Sequence, residues 1–298
     1  MYRPGLYTAC VTPFTEDGKL DLDSFKALVQ RQVSAGAQGI VIAGTTGESP
    51  TISEQEKKQL IECARNITDE KTLVMAGCGT NSTIASVEQA RSAEQAGAQA
   101  LQVPTPSYNK PSQEGLFLHF KTIHDAVSTP IFIYNVPGRT SVNIEPKTAK
   151  RLLELERCAG IKEASGNIVQ CMDVVSVLKQ QNSPRTLLSG DDLLALPFIA
   201  IGAHGVMSVL SNLLPQTTQK LIQAALKGNM EEAKQLHYLL KPFIQACFIE
   251  SNPTPIKYML SLFGLCDAAC RLPLAPLSSS SKQTIDTLFQ QHSFEELS

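Results

Sequence analysis

With 26 Lys and Arg against 28 Asp and Glu over 298 residues, the chain is almost neutral, and no dense basic run appears in it. Nucleic acid and anionic membrane surfaces are therefore excluded as expected partners, and no run of about 18 apolar residues offers a membrane span. The 43% apolar share is that of a soluble globular protein, long enough for one α/β barrel or two ordinary domains, and the N-terminus (Met1 to Gly5) has no apolar signal segment, which predicts a cytoplasmic protein.

The predicted elements alternate. Tyr7–Thr12 alternates in polarity and stops at Pro13, as a first strand. Asp21–Val33 carries Phe25, Leu28, Val29 and Val33 at helical spacing. Gly39–Ala43 is a continuous apolar run, as expected of a parallel strand covered on both faces. It leads into Gly44-Thr-Thr-Gly-Glu-Ser49. Ser53 and Glu56 form a capping box at the next helix. Thr72–Ala76 is the third strand, Ser82 opens an alanine-rich helix, and Ala100–Val103 is the fourth strand. A loop with Pro104, Pro106, Tyr108 and Pro111 precedes a helix from Ser112 to Val127. Ile131–Tyr134 is the fifth strand, and Pro146 starts another helix. The sixth strand, Ala159–Ile161, ends on Lys162; a helix from Ile168 to Lys179 follows, then strands Thr186–Ser189 and Gly205–Ser208. Beyond these, Met230–Cys247, Pro253–Phe263 and Ser280–Phe289 read as helices.

A step repeats in this series. Ala35-Gly-Ala-Gln38, Ala96-Gly-Ala-Gln99 and Ile201-Gly-Ala-His204 each close a helix and lead into a strand. The glycine supplies a left-handed helix stop, and the recurrence argues for a repeated βα unit. Eight such units predict a (β/α)8 TIM barrel over residues 1–225, with 226–298 as a helical extension packed on it. An open doubly wound sheet is the alternative. The lack of a G-x-G-x-x-G after the first strand counts against its dinucleotide-binding form.

In such a barrel, side chains at the carboxyl ends of strands meet at one mouth. That gathers Thr12, Thr45, Thr46, Tyr134, Arg139, Lys162, Gly190 and Met207. A lysine delivered to a strand end inside a core loses its proton more easily and becomes a nucleophile toward carbonyls; alternatively it snorkels to water. Gly44–Gly47 is either a tight turn or an anion cradle. It lacks the lysine of a nucleotide phosphate loop. Tyr134 is a core tyrosine or a proton carrier. Arg139 is a solvated turn residue or a carboxylate clamp. Tyr108 could anchor a partner surface. The eight cysteines, Cys10, Cys63, Cys78, Cys158, Cys171, Cys247, Cys266 and Cys270, form no C-x-x-C pair and read as buried reduced thiols; neither they nor the five histidines show metal-ligand spacing.

Gly44-Thr-Thr-Gly-Glu-Ser49, Tyr134-Asn-Val-Pro-Gly-Arg-Thr140, Gly160-Ile-Lys-Glu-Ala-Ser-Gly-Asn167 and Ser189-Gly-Asp-Asp192 resemble the signatures of the dihydrodipicolinate synthases (4-hydroxy-tetrahydrodipicolinate synthases). Order and spacing agree over essentially the whole chain. The first and third motifs alone would fit the wider pyruvate-dependent class I aldolase (N-acetylneuraminate lyase) family, and the Arg139 motif is the more specific sign. The resemblance implies condensation of pyruvate with L-aspartate 4-semialdehyde in the diaminopimelate route of lysine biosynthesis, without metal or organic cofactor. Lys162 would form the imine with pyruvate. Tyr134 would shuttle protons, with Thr45 connecting it to Tyr108 of a neighbouring subunit in a homotetramer. Thr46 and Met207, through backbone groups, would help hold pyruvate at a mouth that also includes Gly190, and Arg139 would hold the semialdehyde carboxylate.

Lysine-regulated members carry an effector site at a subunit interface, and the resemblance places Ser49, Asn81, Glu54, Lys57, Ala85 and Ser107 there. Ser49 and Asn81 keep the expected polar groups. Ala85 stands where the regulated form has a glutamate, Ser107 where it has a tyrosine, and Glu54 and Lys57 where it has histidines. Weak or absent inhibition by lysine is the expectation.

Overall fold

The computed structural model describes residues 2–292. Eight parallel strands close into a barrel in sequence order: β1 (Gly5–Ala9), β2 (Gly39–Ile42), β3 (Leu73–Gly77), β4 (Ala100–Pro104), β5 (Ile131–Asn135), β6 (Cys158–Glu163), β7 (Thr186–Ser189) and β8 (Gly205–Ser208). Around them run α1 (Leu22–Ser34), α2 (Glu54–Ile67), α3 (Thr83–Gln95), α4 (Gln113–Ala126), α5 (Pro137–Thr140), α6 (Pro146–Leu153), α7 (Ile168–Gln180) and α8 (Ala195–Ala200). Four more helices complete the described chain: α9 (Pro215–Leu226), α10 (Met230–Ala246), α11 (Thr254–Ser261) and α12 (Ser279–Gln290).

Strand alternation sorts the apolar residues into two layers. Inward, Tyr7, Val41, Met75, Ala100, Phe132, Ala159, Leu188 and Met207 form one buried belt with a residue from each strand. Outward, residues such as Ile40, Val74, Leu101, Ile133, Ile161 and Leu187 pack under the helices. A further cluster joins Leu6, Leu28 and Val206 of the barrel to Phe243, Ile244, Ile256 and Met259 of α10 and α11, so the last helices share a core with the barrel.

The repeated step has a structural meaning beyond the helix stop. Gly36, Gly97 and Gly202 take left-handed φ values of 75°, 91° and 114°. The residue two places later then accepts a backbone N–H from the strand before: Gln38 Oε1 from Leu6 at 2.7 Å, Gln99 Oε1 from Val74 at 2.9 Å, and His204 Nδ1 from Leu187 at 3.1 Å. Three pairs of neighbouring strands are stitched by one device at the lower rim. The predicted capping box is present at Ser53 and Glu56.

Two expectations shift. The first strand begins at Gly5 and ends at Ala9 rather than running from Tyr7 to Thr12. Beyond Ala9 the backbone leaves the ladder, and Val11 N–H donates to Asn212 Oδ1 at 3.0 Å. Cys10 and Val11 stay buried, which prolonged the apparent alternation. Two helices go beyond the sequence reading: α5 starts at Pro137, where Arg139 reads as a turn residue, and α9 starts at Pro215, where no element was predicted.

Candidate active site

Lys162 and Tyr134 stand side by side because β5 and β6 pair in register, Tyr134 opposite Lys162. Both are 5% exposed, and the lysine Nζ lies 4.2 Å from the centroid of the tyrosine ring. Burial pushes the Lys162 ammonium from its ordinary 10.5 down to about 8; the Asp192 charge opposes this and Arg139 adds to it. Burial pushes the Tyr134 phenol up to about 12, against Arg139 and a hydrogen bond with the Thr45 hydroxyl. At neutral pH the phenol therefore keeps its proton, while a usable fraction of the amine is neutral. Gly190 gives the lysine stem its room: a β-carbon there would come 2.6 Å from Ala164 Cβ and 3.0 Å from Lys162 Cε.

The turn after β2 supplies the other hydroxyls. It is flanked by two non-glycine residues in left-handed conformation, Ala43 (φ 51°) and Glu48 (φ 58°). Each such residue costs on the order of 1–3 kcal/mol and persists only when its surroundings enforce it. Here the C-terminal helices do so. Lys257 Nζ, fully buried, meets Glu48 Oε1 at 2.6 Å, and Arg271 N–H donates to Glu48 Oε2 at 2.9 Å. Asn252 Nδ2 donates to Thr46 Oγ1 at 2.9 Å. On the other flank, Thr12 Oγ1 donates to the Gly47 carbonyl at 2.8 Å.

A cavity of about 280 Å³ opens beside this turn, and Thr45, Tyr134, Arg139, Gln102 and Ser107 are among its walls. Of the residues gathered by the sequence, Thr45, Tyr134 and Arg139 line it directly. Lys162 and Gly190 adjoin it through Tyr134 and the β6–β7 ends. Thr12 and Thr46 are buried at the turn, and Met207 places its side chain in the interior belt and is not among the residues that line the cavity. Tyr108 is not brought to this cavity within the chain; with φ 71° its side chain turns outward and is 89% exposed.

Sequence reasoning assigned no role to Asp192, although it closes one of the quoted motifs. It is 4% exposed and accepts the N–H groups of Val209 at 2.8 Å and Leu210 at 3.3 Å, tying the end of β7 to the end of β8; burial raises its pKa. Glu163, next to Lys162, is 1% exposed and accepts from Asn135 Nδ2 at 3.0 Å, Gln170 Nε2 at 3.0 Å and Ser165 N–H at 2.7 Å, which fixes the β5–β6 ends. Among the described residues, no group of three or more His, Cys, Asp or Glu is placed to hold a metal ion, and no helix is long and apolar enough to cross a membrane.

The model of the dihydrodipicolinate synthetase family matches residues 3–292. A 4-hydroxy-tetrahydrodipicolinate synthase of Protochlamydia amoebophila is 47% identical over 98% of this chain and 97% of its own length. The solved dihydrodipicolinate synthase of Thermotoga maritima superposes with a TM-score of 0.95 at 39% identity, covering 99% of this chain and 100% of that one. A solved relative described as a monomeric dihydrodipicolinate synthase variant also reaches 0.95, at 39% identity, covering 100% of this chain and 98% of that one. The match spans the barrel, the lysine strand and the C-terminal helices together: the chain belongs to the dihydrodipicolinate synthetase family.

Proposed function

We propose that Lys162 and its neighbours condense pyruvate with L-aspartate 4-semialdehyde, the reaction of 4-hydroxy-tetrahydrodipicolinate synthase on the diaminopimelate route to lysine. The observation that carries this reading is the buried Lys162 amine, held near a pKa of 8 and 4.2 Å from the Tyr134 ring centroid. The neutral amine adds to the pyruvate ketone, and loss of water leaves an imine. The imine withdraws electrons, the pyruvate methyl group gives up a proton, and the resulting enamine carbon bonds to the aldehyde carbon. The amino group of the second substrate then displaces Lys162 from the imine carbon, closing a ring and freeing the enzyme.

The other roles follow from chemistry and position. Tyr134 keeps its proton at neutral pH and hydrogen-bonds with Thr45, so it can give a proton to the ketone oxygen and recover it. Thr46 and the backbone of Met207 hold pyruvate, next to the opening that Gly190 leaves. Arg139, exposed at the cavity wall, takes the semialdehyde carboxylate. The exposed Tyr108 supports a homotetramer in which this phenol reaches the mouth of a neighbouring subunit. Cytoplasm is where both substrates belong as biosynthetic intermediates.

Pyruvate with borohydride tests the reading. One covalent adduct on the peptide that contains Lys162 is expected, together with turnover of L-aspartate 4-semialdehyde in a coupled assay. An adduct on another lysine, or none, sinks the imine mechanism. Turnover only with a sugar-derived aldehyde would assign a different aldolase reaction.

A further inference from the structure

A buried polar cluster lies on the outer side of the β5 and β6 ends. Asn135 stands opposite Glu163 in the ladder, one residue past Tyr134 and Lys162, so these two side chains leave the barrel where Tyr134 and Lys162 enter it. Both Asn135 and Glu163 are closed to solvent. Asn135 Nδ2 donates to Glu163 Oε2 at 3.0 Å and to Asn143 Oδ1 at 2.8 Å, and Asn135 Oδ1 accepts the Ile144 N–H at 3.0 Å. Gln170, on α7, donates through Nε2 to Glu163 Oε2 at 3.0 Å and to Asn143 Oδ1 at 3.1 Å, and its Oε1 accepts from Asn143 Nδ2 at 2.7 Å. With the Ser165 N–H on Glu163 Oε1, every side-chain oxygen and nitrogen of Asn135, Asn143, Glu163 and Gln170 is bonded.

The surroundings favour hydrocarbon. The preceding outward residues of the same strands, Ile133 and Ile161, pack under the helices, and apolar side chains in place of the cluster would avoid the cost of burying a carboxyl group and its amide partners. A polar cluster satisfied throughout gives fixed geometry instead. What it fixes is a loop. Asn135 and Asn143 bracket residues 136–142, and within that loop α5 carries Arg139. Arg139 is exposed, so the aim of its guanidinium depends on the backbone beneath it. One side of the loop is held by Thr140, which accepts from Thr105 Oγ1 at 2.8 Å. The other side is held by the cluster, whose root is Glu163, the residue next to Lys162.

We propose that Asn135, Asn143, Gln170 and Glu163 are positioning residues for the reaction: they hold the Arg139 loop at a set reach from the Lys162 strand, and so set where the carboxylate of the aldehyde substrate is taken relative to the imine. This rests on the condensation proposed above. Glu163 ties the cluster to the lysine strand and Asn143 ties it to the loop, so the two ends of the substrate are gripped by elements of one hydrogen-bonded frame. A displaced Arg139 weakens the grip on the aldehyde and leaves the imine step alone, because Lys162 and Tyr134 are also held by the β5–β6 ladder.

The test is Asn143→Ala, which cuts the loop from the cluster and leaves the lysine strand in place, with Gln170→Met as a second variant that cuts from the side of α7. The expected result in each is a KM for L-aspartate 4-semialdehyde raised by about tenfold, the low end of what losing one charge-assisted hydrogen bond costs. Turnover at saturation changes less than KM, and the pyruvate dependence of borohydride trapping on Lys162 stays as in the wild type. In an Arg139→Ala background, Asn143→Ala leaves kcat/KM for the semialdehyde unchanged, because the clamp that it positions is gone. A further loss in that background overturns the proposal, as does an unchanged KM. So does a loss of pyruvate trapping as large as the loss in KM, or failure of both variants to fold, because the cluster then serves the fold alone. A wild-type protein that itself fails to trap pyruvate refutes the imine reaction instead, and one that traps pyruvate without turning over the semialdehyde refutes the choice of aldehyde.

Discussion

A lysine closed off from water is a burden to the protein that carries it. With the amine at about 8 in the native chain and 10.5 in the unfolded one, the cost at neutral pH is about 3 kcal/mol. The unfolded chain binds the proton more tightly, so this cost is complete below pH 8 and fades as pH rises toward 10.5. Lys162→Met should therefore abolish turnover and raise the melting temperature at pH 7 by roughly 5 °C. The gain should shrink by pH 10, and calorimetry at the two pH values decides it; coincident melting at both would mean that the amine is not held at a cost. The same depressed value predicts that kcat/KM for pyruvate loses about tenfold per pH unit below an apparent pKa near 8. A pH profile flat down to pH 6 would remove the neutral amine from the mechanism.

The helix-stop step joins sequence and structure most directly, because a glycine and the residue two places after it form one local device. Its third copy differs in kind: His204 uses Nδ1 where Gln38 and Gln99 use an amide oxygen. That nitrogen accepts only while it is unprotonated, and burial lowers the pKa of His204. The native chain then resists a proton that the unfolded chain takes up below about 6.5, so stability falls as pH drops through that value. His204→Gln should match the wild type at pH 7 and melt higher at pH 5; equal melting at pH 5 would show that the imidazole is no liability. Helix α2 bears on regulation. Lys57, 2% exposed, meets Glu54 Oε1 at 3.0 Å, so Glu54 is engaged within its own helix and Ala85 has no group to offer a ligand ammonium. We propose that lysine inhibits weakly, with an affinity lower by roughly 10- to 100-fold for the lost charged contact. Initial rates across lysine concentrations check this, and half-inhibition well below a millimolar would contradict it. Local patterns such as these could be read in advance, as could the Lys162 strand and the Gly44–Ser49 turn. What holds that turn could not: Glu48 and Lys257 are 209 positions apart, and no periodicity links an acid in a turn to a base in a distant helix. The bond between Asn135 and Glu163 was hidden for a similar reason, since a polar residue at a strand end shows its partner only once the neighbouring strands are placed.

For the molecule as a whole, the two ends of the chain cooperate at one mouth, and we propose that another copy completes it. Tyr108 stands 89% exposed, and Ile168, Val169 and Met172 at the start of α7 are also open to solvent. Tyr108→Phe should lower turnover by about tenfold or more without changing the melting temperature, in keeping with the range for one lost proton-transfer group. Full activity of that variant would free the phenol from the reaction. The C-terminal helices share a core with the barrel, and we propose on that ground that residues 226–298 are an extension of the barrel rather than an independent unit. Their hold on the turn after β2 also sets an order in time. The turn leaves the ribosome early, but its anchors come late: Thr46 waits for Asn252 over 206 positions, and Glu48 waits longer for Lys257. At a synthesis rate of about 5–20 residues per second, that delay is roughly 10–40 s. The turn is thus among the first parts of the mouth to be made and the last to be fixed, and for the later part of that interval, the 95 residues from Lys162 to Lys257, a nascent barrel carries its lysine beside an unfinished wall.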